Sequence, residues 1–138
     1  MSQALYHAAL VAKARSGSGK GRLLPNDASA RLDNPLCGDR VTLDLTFADG
    51  HITGIGHEVK GCLLCEAAAA TIAEQLIGAT PAAARAMIGA VTALMKEGAA
   101  PPDVFADLAI FTPVHQAKSR RDCVLLPFGA LERALSAL

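Results

Sequence analysis

The 138-residue sequence contains no tryptophan, one tyrosine and four phenylalanines. At 4% aromatic it lacks the stacking surfaces that binders of single-stranded nucleic acid rely on. It also lacks an excess of charge of either sign: 13 basic residues balance 13 acidic ones, so no overall positive field draws it to nucleic acid or to an anionic membrane. No apolar run approaches the length of a membrane span, and neither kind of partner is expected. Met1 to Asn26 contains no acidic residue but carries Lys13, Arg15, Lys20 and Arg22, the composition of a transit peptide. The apolar stretch Ala8 to Ala12 is too short for a secretory signal, and the expected location is the cytoplasm. What is present is a chain 51% hydrophobic and 19% charged, too apolar to be disordered. Its length suits one domain, residues 1–138. Folding should reduce the exposed surface from roughly 20,000 to roughly 7,000 Å², enough for a core without disulfide staples.

Hydrophobic periodicity divides the chain. Leu5, Ala8, Ala9 and Ala12 repeat at helical spacing and predict a helix over 3–15. Residues 16–36 are rich in Gly, Ser, Asn, Asp and Pro and read as loop. Within them, Gly17-Ser18-Gly19-Lys20-Gly21 has the Gly-Lys of a phosphate-binding loop. Ala14 and Gly21 stand where that motif needs Gly and Ser or Thr, so it reads as a linker. Val41, Leu43, Leu45 and Phe47 then alternate with polar residues, predicting a strand with one buried face. Asp49-Gly50 signals a hairpin, and Ile52, Ile55 and Val59 fall on a return strand that Gly54 and Gly56 should weaken. Cys65, Ala69, Ile72 and Leu76 form the buried stripe of a helix from Leu64 to Ile77, ended by Gly78. Thr80-Pro81 opens another helix, with Ala84, Met87, Ile88, Val91, Leu94 and Met95 on one side, to about Glu97. Pro101-Pro102 breaks it, Asp103 can cap a short helix to Ile110, and Pro113 interrupts again. A final helix should start near Cys123, late or bent because of Pro127, with Leu131, Ala134, Leu135 and Leu138 packing inward. The sum is α+β, a small antiparallel sheet packed against several helices.

Four cysteines without a secretory signal point to metal or redox chemistry more than to disulfides. Cys37 lies in Asn34-Pro35-Leu36-Cys37-Gly38-Asp39, just before the first strand, while Cys62 and Cys123 sit at helix entries. A helix N-terminus favours the thiolate, the form that binds metal or attacks sulfur. Cys37, Cys62 and Cys123 with the Asp39 carboxylate would make four ligands for Zn²⁺ or an iron–sulfur cluster. Spacing alone leaves open the alternative of buried structural cysteines. Cys62-Leu63-Leu64-Cys65 is also a CxxC at a helix start, as thiol–disulfide oxidoreductases use. No βαβ pattern precedes it, however, and Cys65 falls on the buried stripe. The four histidines, His7, His51, His57 and His115, read as surface or hydrogen-bonded residues. Arg120 and Arg121 either stabilise a thiolate at Cys123, dock an acidic partner or are simply solvated.

The Cys-Gly-Asp after Asn34-Pro35, the Gly61-Cys62 before an Ala-rich helix, and Cys123 leading into Ala130-Leu131-Glu132 resemble the U-type iron–sulfur cluster assembly proteins. These are IscU, SufU and the N-terminal domain of NifU. Leu5-Tyr6 sits where that family begins its first helix. The resemblance implies a small antiparallel sheet with helices, of the SufE/NifU-like kind. It implies sulfur received from a SufS- or IscS-like cysteine desulfurase, zinc or a nascent cluster held by Cys37, Cys62, Cys123 and Asp39, and possible downstream cluster carriers. Asp122 stands where IscU-type proteins have His, and the 61-residue step from Cys62 to Cys123, with Arg120, resembles the SufU branch. Cys65, where Ser is usual, and Pro127 depart from the family pattern. Two functions follow from the resemblance: a cluster scaffold or carrier, and a zinc-dependent sulfurtransferase. A CxxC oxidoreductase is the third reading. Cys37, in a loop between Pro35 and Gly38, is the expected sulfur acceptor. Cys37, Asp39, Cys62 and Cys123 are expected to converge near the surface at one end of the molecule.

Overall fold

The computed structural model describes residues 7–36 and 38–138. Cys37 and the Leu5-Tyr6 pair lie outside them. The elements, in chain order, are α1 (Ala8–Arg15), β1 (Ala28–Asn34), β2 (Asp39–Ala48), β3 (His51–Lys60), α2 (Leu63–Leu76) and α3 (Pro81–Glu97). A run of 3₁₀ turns (Asp103–Gln116) and α4 (Arg121–Ser136) complete the chain. The three strands form one antiparallel sheet in the order β1-β2-β3. The α+β architecture anticipated from periodicity is the one observed.

The sheet is built around β2, whose Val41, Leu43 and Leu45 are fully buried on one face. They pair with Leu32, Ala30 and Ala28 of β1 and with Val59, His57 and Ile55 of β3. Helices α2 and α4 cover this face, since a half-apolar sheet must be covered to be stable. Helix α2 has Cys65, Ala69, Ile72 and Leu76 buried as its stripe requires, and Ala67, Ala68, Ala70 and Ala73 buried as well. Small side chains on nearly every side let it lie inside the molecule. Thr80 caps α3 by accepting from the Ala83 amide at 3.2 Å, and Gly98 ends it in the left-handed conformation.

Several sequence expectations are corrected. The stretch 16–36 is not all loop, because 28–34 is β1. Its alternation (Ala28, Ala30, Leu32 against Ser29, Arg31, Asp33) rests on alanines, and Ala, Ser, Asp and Asn have low strand propensity. Pairing with β2 overrides that weakness. Gly54 and Gly56 do not interrupt β3. A Cβ on Gly56 would lie 2.5 Å from the Gly21 carbonyl and 2.9 Å from Leu23, so this glycine admits the crossing 21–23 segment. In α1 the buried residue is Leu10, whereas Ala8, Ala9 and Ala12 are exposed. The helix expected over 103–110 is a longer 3₁₀ run, kinked at Phe105 and passing through Pro113 to Gln116. Helix α4 starts at Arg121 and carries Pro127 in its interior. Leu138 is exposed rather than packed.

Behind the sheet, Asp44 is fully buried by the segment 22–29. It accepts from Arg22 Nε at 2.7 Å, the Leu23 amide at 2.9 Å and Ser29 Oγ at 2.6 Å. The edge of β3 is covered too: the Gly21 amide donates to the His57 carbonyl at 2.7 Å, and the His57 amide to the Gly19 carbonyl at 3.0 Å.

Candidate metal centre

Three elements deliver the site. Asp39 is the first residue of β2, Cys62 is the N-cap of α2, and Cys123 lies in the first turn of α4. Asp39 and Cys123 are buried and Cys62 is half-buried. One donor atom from each lies within 4.8 Å of the other two. The sequence leads one to expect Cys37, Asp39, Cys62 and Cys123 together near the surface; the structure brings the last three together, with only Cys62 partly accessible, while Cys37 lies outside the described residues. Burial follows from packing α2 and α4 side by side against the start of β2. Flanking the undescribed Cys37, Leu36 and Gly38 are exposed, and the Gly38 amide donates to the Asn34 carbonyl at 2.8 Å.

Two residues that sequence reasoning did not assign to the site shape it. A Cβ on Gly61 would come within 2.8 Å of Asp39 Oδ1. Glycine here lets the turn before Cys62 pass directly over the carboxylate, and its signal in sequence is the Gly61-Cys62 pair itself. Cys65, read as a packing residue, is fully buried as expected. Its thiol also reaches Asp39 Oδ2 at 3.3 Å and the Cys123 carbonyl at 3.0 Å.

The thiols differ sharply in acidity. The Cys65 S–H donating toward Cys62 sulfur is the main cause lowering the Cys62 pKa, to about 6 despite burial; the amides of Cys65 and Leu64 and the Cys123 thiol add to it. Cys65 is pushed far up by that same hydrogen bond, then by burial and by the negative charges of Cys62 and Asp39. Burial pushes Cys123 up, reinforced by the Cys62 charge and opposed by Arg120. At neutral pH the site therefore presents one ready thiolate, Cys62, beside protonated Cys123. A divalent cation would reverse the balance at Cys123, since a coordinating thiol is deprotonated outright. Two sulfurs and a carboxylate oxygen are a donor set that suits zinc or iron.

Other titratable residues that the sequence singles out stand apart. Asp122, next to Cys123, is exposed. His7 and His115 each make a ring contact to a backbone carbonyl, Ile110 at 2.7 Å and Met95 at 2.8 Å. Arg121 donates to the His115 carbonyl, so it braces a loop, whereas Arg120 acts electrostatically on Cys123.

The family profile described as the NifU-like N-terminal domain matches residues 6–124. Over 98% of this chain and 94% of the other, the structure is similar to a nitrogen-fixing NifU-like protein (N-terminal) from Brucella abortus, with 34% identity and a TM-score of 0.92. It is also similar to a putative iron–sulfur cluster assembly scaffold protein for the SUF system from the thermophile Fervidobacterium islandicum. That match has 27% identity and a TM-score of 0.90 over 98% of this chain and 99% of that one. No curated protein is matched by the sequence.

Proposed function

The chain belongs to the NifU-like N-terminal domain family, and from that premise we propose that it accepts sulfur from a cysteine desulfurase and assembles an iron–sulfur cluster on Cys37, Asp39, Cys62 and Cys123. The observation that carries the reading is the approach of Asp39, Cys62 and Cys123 donor atoms within 4.8 Å of one another, from three elements that have no other reason to bring titratable groups together. Membership in a scaffold family supports it, as does the similarity to a protein described as a SUF scaffold.

The chemistry follows from the residues. Cys62, already a thiolate, is the natural first ligand to an incoming metal ion. Cys123 joins by losing its proton, which the doubly charged ion favours. Asp39 adds a hard oxygen to a soft set, a combination that holds metal less tenaciously than four thiolates and suits a site that must release its cargo. Cys123 is buried and cannot meet a desulfurase loop directly. Cys37, between exposed neighbours, is the proposed acceptor of the persulfide sulfur. Zinc would occupy the same ligands when no cluster is being built, and a zinc-dependent sulfurtransferase is the second reading, favoured by the ready Cys62 thiolate and the tetrahedral-size donor set.

Anaerobic reconstitution with iron and sulfide, followed by elemental analysis and visible absorption, tests the scaffold reading. Wild type should acquire sulfide and iron together with thiolate-to-iron absorption; Cys62→Ser and Cys123→Ser should not. Zinc retention with no sulfide-dependent chromophore would select the sulfurtransferase instead. Incubation of each Cys→Ser variant with desulfurase and cysteine, read by mass spectrometry, tests the acceptor. Persulfide that persists in Cys37→Ser and vanishes in Cys123→Ser would overturn the role given to Cys37.

A further inference from the structure

Cys65 and Pro127 stand far apart in sequence, on α2 and α4, and neither is among the proposed metal ligands. Helix geometry connects them. In an α-helix each amide donates to the carbonyl four residues earlier. Pro127 has no amide hydrogen, so the carbonyl it leaves without a helical partner is that of Cys123. The proline ring also crowds that carbonyl and turns it away from the helix axis. A buried carbonyl left open costs stability comparable to a lost hydrogen bond. The Cys65 thiol lies 3.0 Å from this oxygen. The same sulfur lies 3.3 Å from Asp39 Oδ2.

We infer that Cys65 is a positioning residue for the metal centre, seated in the gap that Pro127 opens in α4, and that the two residues act as a matched pair. This rests on Asp39, Cys62 and Cys123 being ligands. A thiol has one hydrogen, so its two acceptors share it. The Cys123 carbonyl is the acceptor that no metal would claim. When Asp39 turns to a metal ion, the hydrogen stays with Cys123 and fixes the backbone carrying that ligand. Without metal, the same hydrogen holds Asp39 close to Cys123. Cys65 thus ties β2 and α4 to the start of α2 from below, without itself belonging to the trio of clustered donor atoms.

The test uses the whole protein and cobalt(II) or zinc alone. Cobalt absorption bands report ligand number and geometry. Cys65→Ala should shift those bands and speed zinc transfer to a chromophoric chelator roughly tenfold, the lower range for loss of an outer hydrogen-bond partner. Cys65→Ser, which keeps a donor of similar reach, should restore both. Pro127→Ala returns an amide to the Cys123 carbonyl, so Cys65→Ala should cost much less in the Pro127→Ala background than in wild type. The same cycle read by denaturant unfolding should show coupling of at least about twofold in the unfolding constant, as for groups in direct contact. A Cys65→Ala protein with unaltered cobalt bands and zinc release, or strict additivity of the two substitutions, overturns the inference. Should neither metal bind to wild type, the proposed function fails, while the unfolding cycle still decides whether Cys65 and Pro127 are paired.

Discussion

Asp39 is the one hard donor among the clustered residues, and its two oxygens face different neighbours: Gly61, where a Cβ would clash, lies beside Oδ1 and Cys65 reaches Oδ2. Replacing it by Ala removes a charge and an oxygen ligand while leaving the softer thiolates in place. Asp39→Ala should therefore hold zinc or cluster at least as long as wild type, measured by the rate of transfer to a chelator. Faster loss would show that the carboxylate anchors the metal rather than easing its departure. At this scale the sequence was most readable where chemistry and turn position coincide. Asp39, Cys62 and Cys123 are reactive types at a strand start and two helix entries, and the fold brings them together. Cys65 was only half legible. Its helical stripe announced burial, but its partners depend on α4 packing beside α2 and on a proline 62 positions later. No local pattern encodes that.

Among elements, β1 was the one missed, and Asp44 explains how so weakly strand-like a segment stays in place. Its carboxylate gathers Arg22, Leu23 and Ser29, tying the chain on both sides of Pro25 to the centre of β2. Burial by itself would raise the Asp44 pKa, but the hydrogen bonds from Arg22, Ser29 and the Leu23 amide outweigh it and hold it below 3.8. A depressed carboxylate contributes stability that is present above its unfolded value and lost as pH falls through the folded one. Asp44→Asn puts an NH₂ among donors and should cost about 2 kcal/mol at pH 7, because buried hydrogen-bond partners are left unmet. The deficit should shrink in acid below pH 3.8, as urea unfolding at a series of pH values would reveal; a constant deficit would mean the network is not ionic. On β3, His57 behaves in the same direction for a different reason. Burial is the largest cause lowering its pKa from 6.5, with Lys20 adding and the Ser18 carbonyl opposing. Nε2 meets that carbonyl at 2.7 Å, while Nδ1 is buried without a partner. The extra proton would go to Nδ1, so stability is fully present above pH 6.5 and declines as pH falls below it. His57→Gln, which keeps a donor for Ser18, should flatten that decline in thermal melts between pH 7 and 5. An unchanged slope would assign the effect to another group. The hairpin and the two long helices were legible from period and caps; β1 was not, because tertiary pairing and a buried ion pair supply what its residues lack.

For the molecule as a whole, the exposed area of 6720 Å² agrees with the estimate from chain length, and no described helix is long and apolar enough to cross a membrane. The donor trio joins residues separated by 23 and 61 positions, so an unfolded chain can gather all of them only at the entropic cost of closing long loops. A metal ion held as proposed would therefore bind the folded form selectively and stabilise it by mass action, by about 4 kcal/mol when free metal exceeds its dissociation constant a thousandfold. Thermal unfolding with and without zinc should show this, and equal midpoints would indicate that the three elements are not bridged. Because such a bridge would run from the start of β2 to α2 and α4, it would also close the routes by which those elements could separate and expose cleavable chain. Digestion that depends on such opening tracks the open population, which saturating metal lowers roughly a thousandfold under the same conditions. On the proposed function, cargo would then become a determinant of survival: molecules that had delivered their metal would be the ones a protease removes first, and the standing pool would be weighted toward those still loaded.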